Sequence, residues 1–180
     1  MNGRISPVEP PFTPDIAKTL DAVMKGAPPL LLFTTLARNP RVFQRFMAGG
    51  LLDKGTITLR EREIVIGRTT ARCRSEYEWG VHIAIFSQAV DLTSQQITAM
   101  AKGPADDPAW TPRESLILRL ADSLHDTGTL DAALWHELEV EFSAEQLLEL
   151  IVIAGFYHTV SFLTNALALP LEKGAARFPR

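Results

Sequence analysis

The sequence predicts an all-α domain, a compact helical bundle, and three observations carry that prediction. Four segments place Ser or Thr three residues ahead of Glu or Gln: Thr58 to Glu61, Thr93 to Gln96, Thr111 to Glu114 and Ser143 to Gln146. In this pattern the two side chains satisfy free backbone N–H groups at a helix start. Glycine and proline punctuate the chain at helix-length intervals. No convincing strand alternation remains, and the β-branched run Ile64-Val65-Ile66 sits inside a capped helical segment.

Taken in order, residues 1–12 are polar and proline-rich and predict an extended amino-terminal arm, with 13–180 a single helical domain. Thr13-Pro14-Asp15 starts a first helix over 14–25. The punctuation then predicts helices over 29–37, 40–49, 59–73, 76–90, 94–102, 112–126, 131–141 and 144–168. Pro112 falls at a first helical position, where a missing N–H costs nothing. The last segment, rich in Leu, Ile and Val, is long enough to raise the question of a membrane span. Glu149, His158, Ser161, Thr164 and Asn165 argue against one. A helix apolar on nearly all sides is instead expected at the centre of the fold or in a subunit interface, so a homo-oligomer is expected.

A weak two-unit internal repeat accompanies this pattern. Thr58 to Thr93 and Thr111 to Ser143 each bracket a capped helix and a second helix, followed by "LTSQQITAM" or "FSAEQLLEL". The second unit carries "HDTGTLD" where the first carries "RSEYEWGVH", so a single site per chain belongs to the first unit.

Composition narrows the function. Hydrophobic residues make up 46% and charged residues 22% of 180, the formal charge is -3 and the pI is near 5.8, so no basic footprint for nucleic acid is present. The arm lacks the basic-then-apolar pattern of a signal peptide, and the single cysteine, Cys73, cannot form an intrachain disulfide, which together suggest a cytoplasmic setting.

The residues with chemical potential cluster around "RSEYEWGVH". By three- and four-residue spacing, His82 shares a helix face with Ser75, Glu78, Ile85, Phe86 and Ala89, and so points inward. An inward histidine needs a partner, because an unpaired buried polar group costs about 1–3 kcal/mol. Glu78, one turn earlier, and Glu63, on the preceding helix beside Gly67, are the candidates. The plainer reading is that Ser75-x-x-Glu78 is a fifth capping box and His82 a satisfied core residue. Arg68, Arg72 and Arg74 are nearby cations, with solvated helix charges as the competing reading. Trp79 is placed to wall a pocket, while Trp110 and Trp135 read as core or interface residues. Tyr157, His158 and Asn165 on the long apolar helix read as core or interface, or as pocket lining. No metal site is expected, since no two of His82, His158, Glu63 and Glu78 form an i, i+4 histidine pair.

The run from Leu59 to Met100, "LREREIVIGRTTARCRSEYEWGVHIAIFSQAVDLTSQQITAM", resembles the carboxymuconolactone decarboxylase and alkylhydroperoxidase D-like superfamily, and the chain from Pro112 onward is similar to its carboxy-terminal half. The resemblance implies an all-α fold assembled as dimers, trimers or hexamers. In the peroxidase members a Glu precedes a Cys-x-x-Cys-x-x-x-His. Glu63 matches that glutamate and His82 that histidine, while the two cysteine positions fall on Ser75 and Glu78, with Cys73 out of register. The chain resembles a cysteine-free branch, for which the decarboxylase members imply proton transfer on a small organic acid or lactone without a cofactor.

His82, Glu63 and Glu78 are then the expected catalytic residues, and Ser75, Arg72 and Trp79 the expected substrate-binding ones. A peroxidase acting through thiols and a non-catalytic binding oligomer are the alternatives.

Overall fold

A computed structural model describes residues 3–180, so Met1 and Asn2 of the expected arm lie outside the described residues. Nine α-helices occur among them, and no strand: α1 (Pro14–Met24), α2 (Leu31–Leu36), α3 (Pro40–Ala48), α4 (Leu59–Arg72), α5 (Glu76–Phe86), α6 (Ser94–Lys102), α7 (Pro112–Thr127), α8 (Ala132–Glu141) and α9 (Ala144–Ala166). All four expected capping boxes form, at the starts of α4, α6, α7 and α9. Asn39 and Asp131 cap α3 and α8, whereas Thr13 leaves its side chain out of the first turn of α1.

The fifth box does not form. Ser75 makes no side-chain bond to the start of α5, and its hydroxyl instead meets Thr164 Oγ1 on α9 at 2.8 Å. Buried Ser75 thus ties two helices together rather than capping one. Helix α5 also stops at Phe86, short of the expected 90, because the chain closes into turns and reaches a left-handed Asp91 (φ 53°). The carbonyls freed there, Val90 and Asp91, accept from Arg60 Nη1 at 2.5 and 3.0 Å. Ile85, expected on the inward face, is exposed.

The centre of the fold is α4, which packs against α5, α6, α7 and α9 and is buried continuously from Glu61 to Thr70. Its charged composition hid this from the sequence, but each charge is answered internally. Arg68 forms a two-pronged pair with Asp122 of α7 at 2.6 and 2.7 Å and also donates to the carbonyls of Met100 and Gly103. Such forked, hydrogen-bonded pairing is what makes a buried guanidinium tolerable. Gly67 admits α6, since a Cβ there would lie 2.1 Å from Met100 Sδ.

Helices α4 and α7 run side by side in the same direction, as the constant separation of 54 residues in Arg60–Glu114, Arg68–Asp122 and Arg72–Asp126 requires. At their starts the pairing is reciprocal: Arg60 donates to Glu114 at 2.6 Å and Arg113 donates to Glu61 at 2.7 Å. Both glutamates are also the third helical residue of their own capping boxes. The two units of the weak repeat therefore meet through equivalent residues.

Helix α9 covers one side of α4 with Leu150, Ile153, Ala154, Tyr157 and Val160 buried. Among the described residues it alone is long and apolar enough to cross a bilayer, but much of it is spent on this packing. Its other face leaves Leu148, Val152 and Phe162 exposed. The carboxy-terminal tail returns over α5, where Ala176 N–H donates to Gly80 O at 3.0 Å and Phe178 packs on Trp79 with ring centres 5.0 Å apart.

Candidate active site around His82

Three helices bring the polar groups together inside the bundle. His82 on α5 is buried, and its Nδ1 lies 2.7 Å from Glu63 Oε2 on α4. Its Nε2 lies 3.1 Å from the Tyr157 hydroxyl on α9 and 3.4 Å from Glu78 Oε1, one turn earlier on its own helix. The Tyr157 ring stands edge-on to the imidazole at 5.1 Å, and Phe86 covers it at 5.4 Å. The other oxygen of Glu63, Oε1, accepts from Arg62 Nε at 3.1 Å. Arg62 in turn donates to Leu52 O at 2.7 Å and sits over the Phe86 ring.

The electrostatics follow from this arrangement. Burial pulls the His82 pKa down, but hydrogen bonds and charge attraction from Glu63 and Glu78 outweigh it and raise it from 6.5 to about 9. The two carboxylates thus favour the imidazolium form of His82, in which Nδ1 donates to Glu63 and Nε2 carries the second proton. Burial, reinforced by the charges of Glu78 and Glu63, raises the Tyr157 hydroxyl far above its ordinary range, so it stays protonated. One group is left unsatisfied: Glu78 Oε2 is buried and has no hydrogen-bond partner. A buried carboxylate oxygen without a donor is costly, and a ligand with a proton to share would satisfy it.

The residues expected to bind substrate are placed elsewhere. Ser75 is bonded to Thr164. Arg72 is bonded to Asp126 at 2.6 and 2.8 Å. Trp79 is fully buried against Phe178, with its indole N–H unpartnered. Conversely, nothing in the sequence singles out Arg62, which sits next to Glu63 in an apparently charged surface pattern. Tyr157 reads in sequence only as core, interface or lining. Spacing within one helix finds Glu78 from His82, but no local signal finds a partner 75 residues away.

Cys73 stands apart from this site, at the end of α4, where its sulfur is 3.7 Å from His125 Nδ1. Burial pushes its thiol pKa up, with the Ser161 hydroxyl and the Arg72 charge opposing in part.

No family model matches the chain, and no curated protein matches it. Solved structures do. A variant of the debrominase Bmp8 in complex with 2,3,4-tribromopyrrole superposes with a TM-score of 0.80 at 14% identity, covering 97% of this chain and 94% of that one. The alkylhydroperoxidase AhpD core of an uncharacterized peroxidase-related protein from Ralstonia eutropha gives 0.80 at 22% identity, covering 94% and 93%. An uncharacterized peroxidase-related protein from Silicibacter sp. gives 0.80 at 15% identity, covering 95% and 94%. With nine helices in the described residues and near-complete coverage in both directions, the chain has the alkylhydroperoxidase D-like fold.

Proposed function

We propose that this chain is a small acid–base enzyme acting on a small organic acid or lactone, with His82, Glu63 and Glu78 as its proton-handling set. The observation that carries the reading is a buried His82, bonded to Glu63 at 2.7 Å and lying 3.4 Å from a second carboxylate, Glu78, whose other oxygen has no partner. A donor and an acceptor held side by side, away from water, are what a proton transfer needs. In this scheme His82 delivers the Nε2 proton to the substrate while Glu78 Oε2 accepts one from it, and both groups are restored at the end of the cycle. Glu63 fixes the imidazole through Nδ1 and Arg62 fixes Glu63. Arg62 and the imidazolium supply the positive charge an anionic substrate needs, the role expected of Arg68, Arg72 and Arg74.

The Bmp8 complex supports a small-molecule ligand in this fold, since that neighbour holds a tribromopyrrole. A thiol peroxidase is disfavoured: the positions matching the cysteine pair are Ser75 and Glu78, and Cys73 faces His125 rather than His82.

The test is a thermal-shift screen of lactones, keto acids and small aromatic acids, followed by mass spectrometry of each stabilising compound. A stabilising compound converted by the wild type but not by His82→Gln is the expected result. Conversion that persists in His82→Gln overturns the assignment, and stabilisation without conversion supports a binding protein instead.

A further inference from the structure

We propose that Cys73, His125 and His158 form a binding site for a zinc-class divalent transition-metal ion, separate from the His82 site. The three residues come from three helices: Cys73 caps the end of α4, His125 lies in the last turn of α7 and His158 lies midway along α9. One ligand atom from each falls within 4.8 Å of the others. Neighbouring Tyr157 points to His82, whereas His158, about 100° further round the helix, points to His125.

Two of the three spacings match a tetrahedral ion, and the third lies within 4.8 Å. Zn–S near 2.3 Å and Zn–N near 2.0–2.1 Å at tetrahedral angles give S···N edges of about 3.6 Å and N···N edges of about 3.3 Å. Cys73 Sγ to His125 Nδ1 is 3.7 Å and His125 Nδ1 to His158 Nε2 is 3.1 Å. The ring centres are 5.3 Å apart while the facing nitrogens are 3.1 Å apart, so the nitrogens converge rather than diverge.

The surroundings supply the orienting bonds that metal-bound imidazoles and thiolates use. His158 Nδ1 donates to Ala154 O at 2.9 Å, which fixes the tautomer and leaves Nε2 with its lone pair. Asn165 holds the Cys73 carbonyl at 2.9 Å. The Ser161 hydroxyl, fully buried and with no hydrogen-bond partner, acts on the Cys73 thiol and can donate to a thiolate there.

Without a metal, two imidazole nitrogens at 3.1 Å must share one proton, carried on His125 Nδ1. An ion replaces that proton, which moves to His125 Nε2, and it releases the thiol proton of Cys73 to solvent. Three protein ligands leave a fourth position for water or a small anion. His125 also lines a surface depression of about 610 Å³ bordered by Arg74 and Lys102, a basic approach suited to an anion.

The experiment is titration of chelator-treated protein with Co2+, followed by displacement with Zn2+. The expected result is one Co2+ per chain with thiolate-to-cobalt charge-transfer absorption, lost on adding Zn2+. Cys73→Ser should abolish that absorption, and His125→Ala and His158→Ala should each weaken binding at least about tenfold. His136→Ala, at an exposed histidine, and His82→Gln should leave it unchanged, which separates this site from the catalytic proposal. Circular dichroism melts without metal confirm that each variant is folded, with His158→Gln as the replacement should His158→Ala unfold. The absence of charge-transfer absorption in the wild type, or binding that survives in folded Cys73→Ser and His158 variants, overturns the proposal.

Discussion

Glu63 on α4 and His82 on α5 meet at 2.7 Å, joining residues 19 apart in sequence through a bond shielded from solvent. Both partners are held from behind, Glu63 by Arg62 and His82 by Tyr157, so the bond is one link in a four-residue chain.

Because this chain holds the His82 imidazole beside Glu78, replacing His82 should stop proton transfer while sparing the fold. His82→Gln should lower turnover of an identified substrate by about 10²–10⁴-fold, the usual worth of a positioned acid or base. Glu78→Gln should act similarly, because an amide cannot accept and return a proton. Steady-state kinetics beside thermal melts would check both.

Stability should depend on pH through the same histidine. The His82 pKa rises from 6.5 to about 9 on folding, so its contribution is fully present below about 6.5 and is lost as pH climbs through about 9. Urea midpoints measured from neutral to alkaline pH should fall across that window in the wild type. The fall should be shallower in His82→Gln, and identical slopes would remove His82 as its cause.

A methyl group at Gly80 should detach the carboxy-terminal tail. Its Cβ would lie 2.2 Å from the backbone carbonyl of Ala176, which cannot rotate away as a side chain can. Gly80→Ala should break the bond from Ala176 N–H and uncover Trp79 from Phe178. Faster proteolysis after Leu171 and a red-shifted tryptophan emission are the expected signs, with a stability loss of about 1–3 kcal/mol.

We propose that any self-association of this chain uses the exposed stripe of Leu148, Val152 and Phe162 on α9, since apolar side chains aligned on one helix face gain by being covered. Leu148→Glu with Phe162→Glu should shift the protein toward monomer in light scattering without lowering helix content. An unchanged mass would place any interface elsewhere.

Much of the fold was legible because helix starts are written locally. Thr58, Thr93, Thr111 and Ser143 each carry their partner three residues on, and each box forms. Ser75-x-x-Glu78 has the same spelling but a different outcome, because Thr164 and His82 compete for the two side chains. Nothing within a few residues of Ser75 announces a competitor 89 positions away. The same blindness explains the centre of the bundle: α9 looked central because it is apolar, while α4 is central because Asp122 and Glu114 neutralise its arginines. His82 and Glu63 could be singled out from residue type and family likeness, but Arg62, Tyr157 and the neighbours of Cys73 required the tertiary structure.

The ties between α4 and α7 also bear on the acidity of His82. Helix α4 is pinned at its start by the crossed Arg60–Glu114 and Arg113–Glu61 bonds and farther along by Arg68 and Arg72, and Glu63 rides on it. Arg62, one arm of which is held by Leu52 O, shares the charge of Glu63 with His82. A guanidinium drawn off Glu63 would leave more carboxylate charge to grip the His82 proton and make the histidine a weaker acid. The segment ahead of α4 thus helps set how readily His82 gives up its proton.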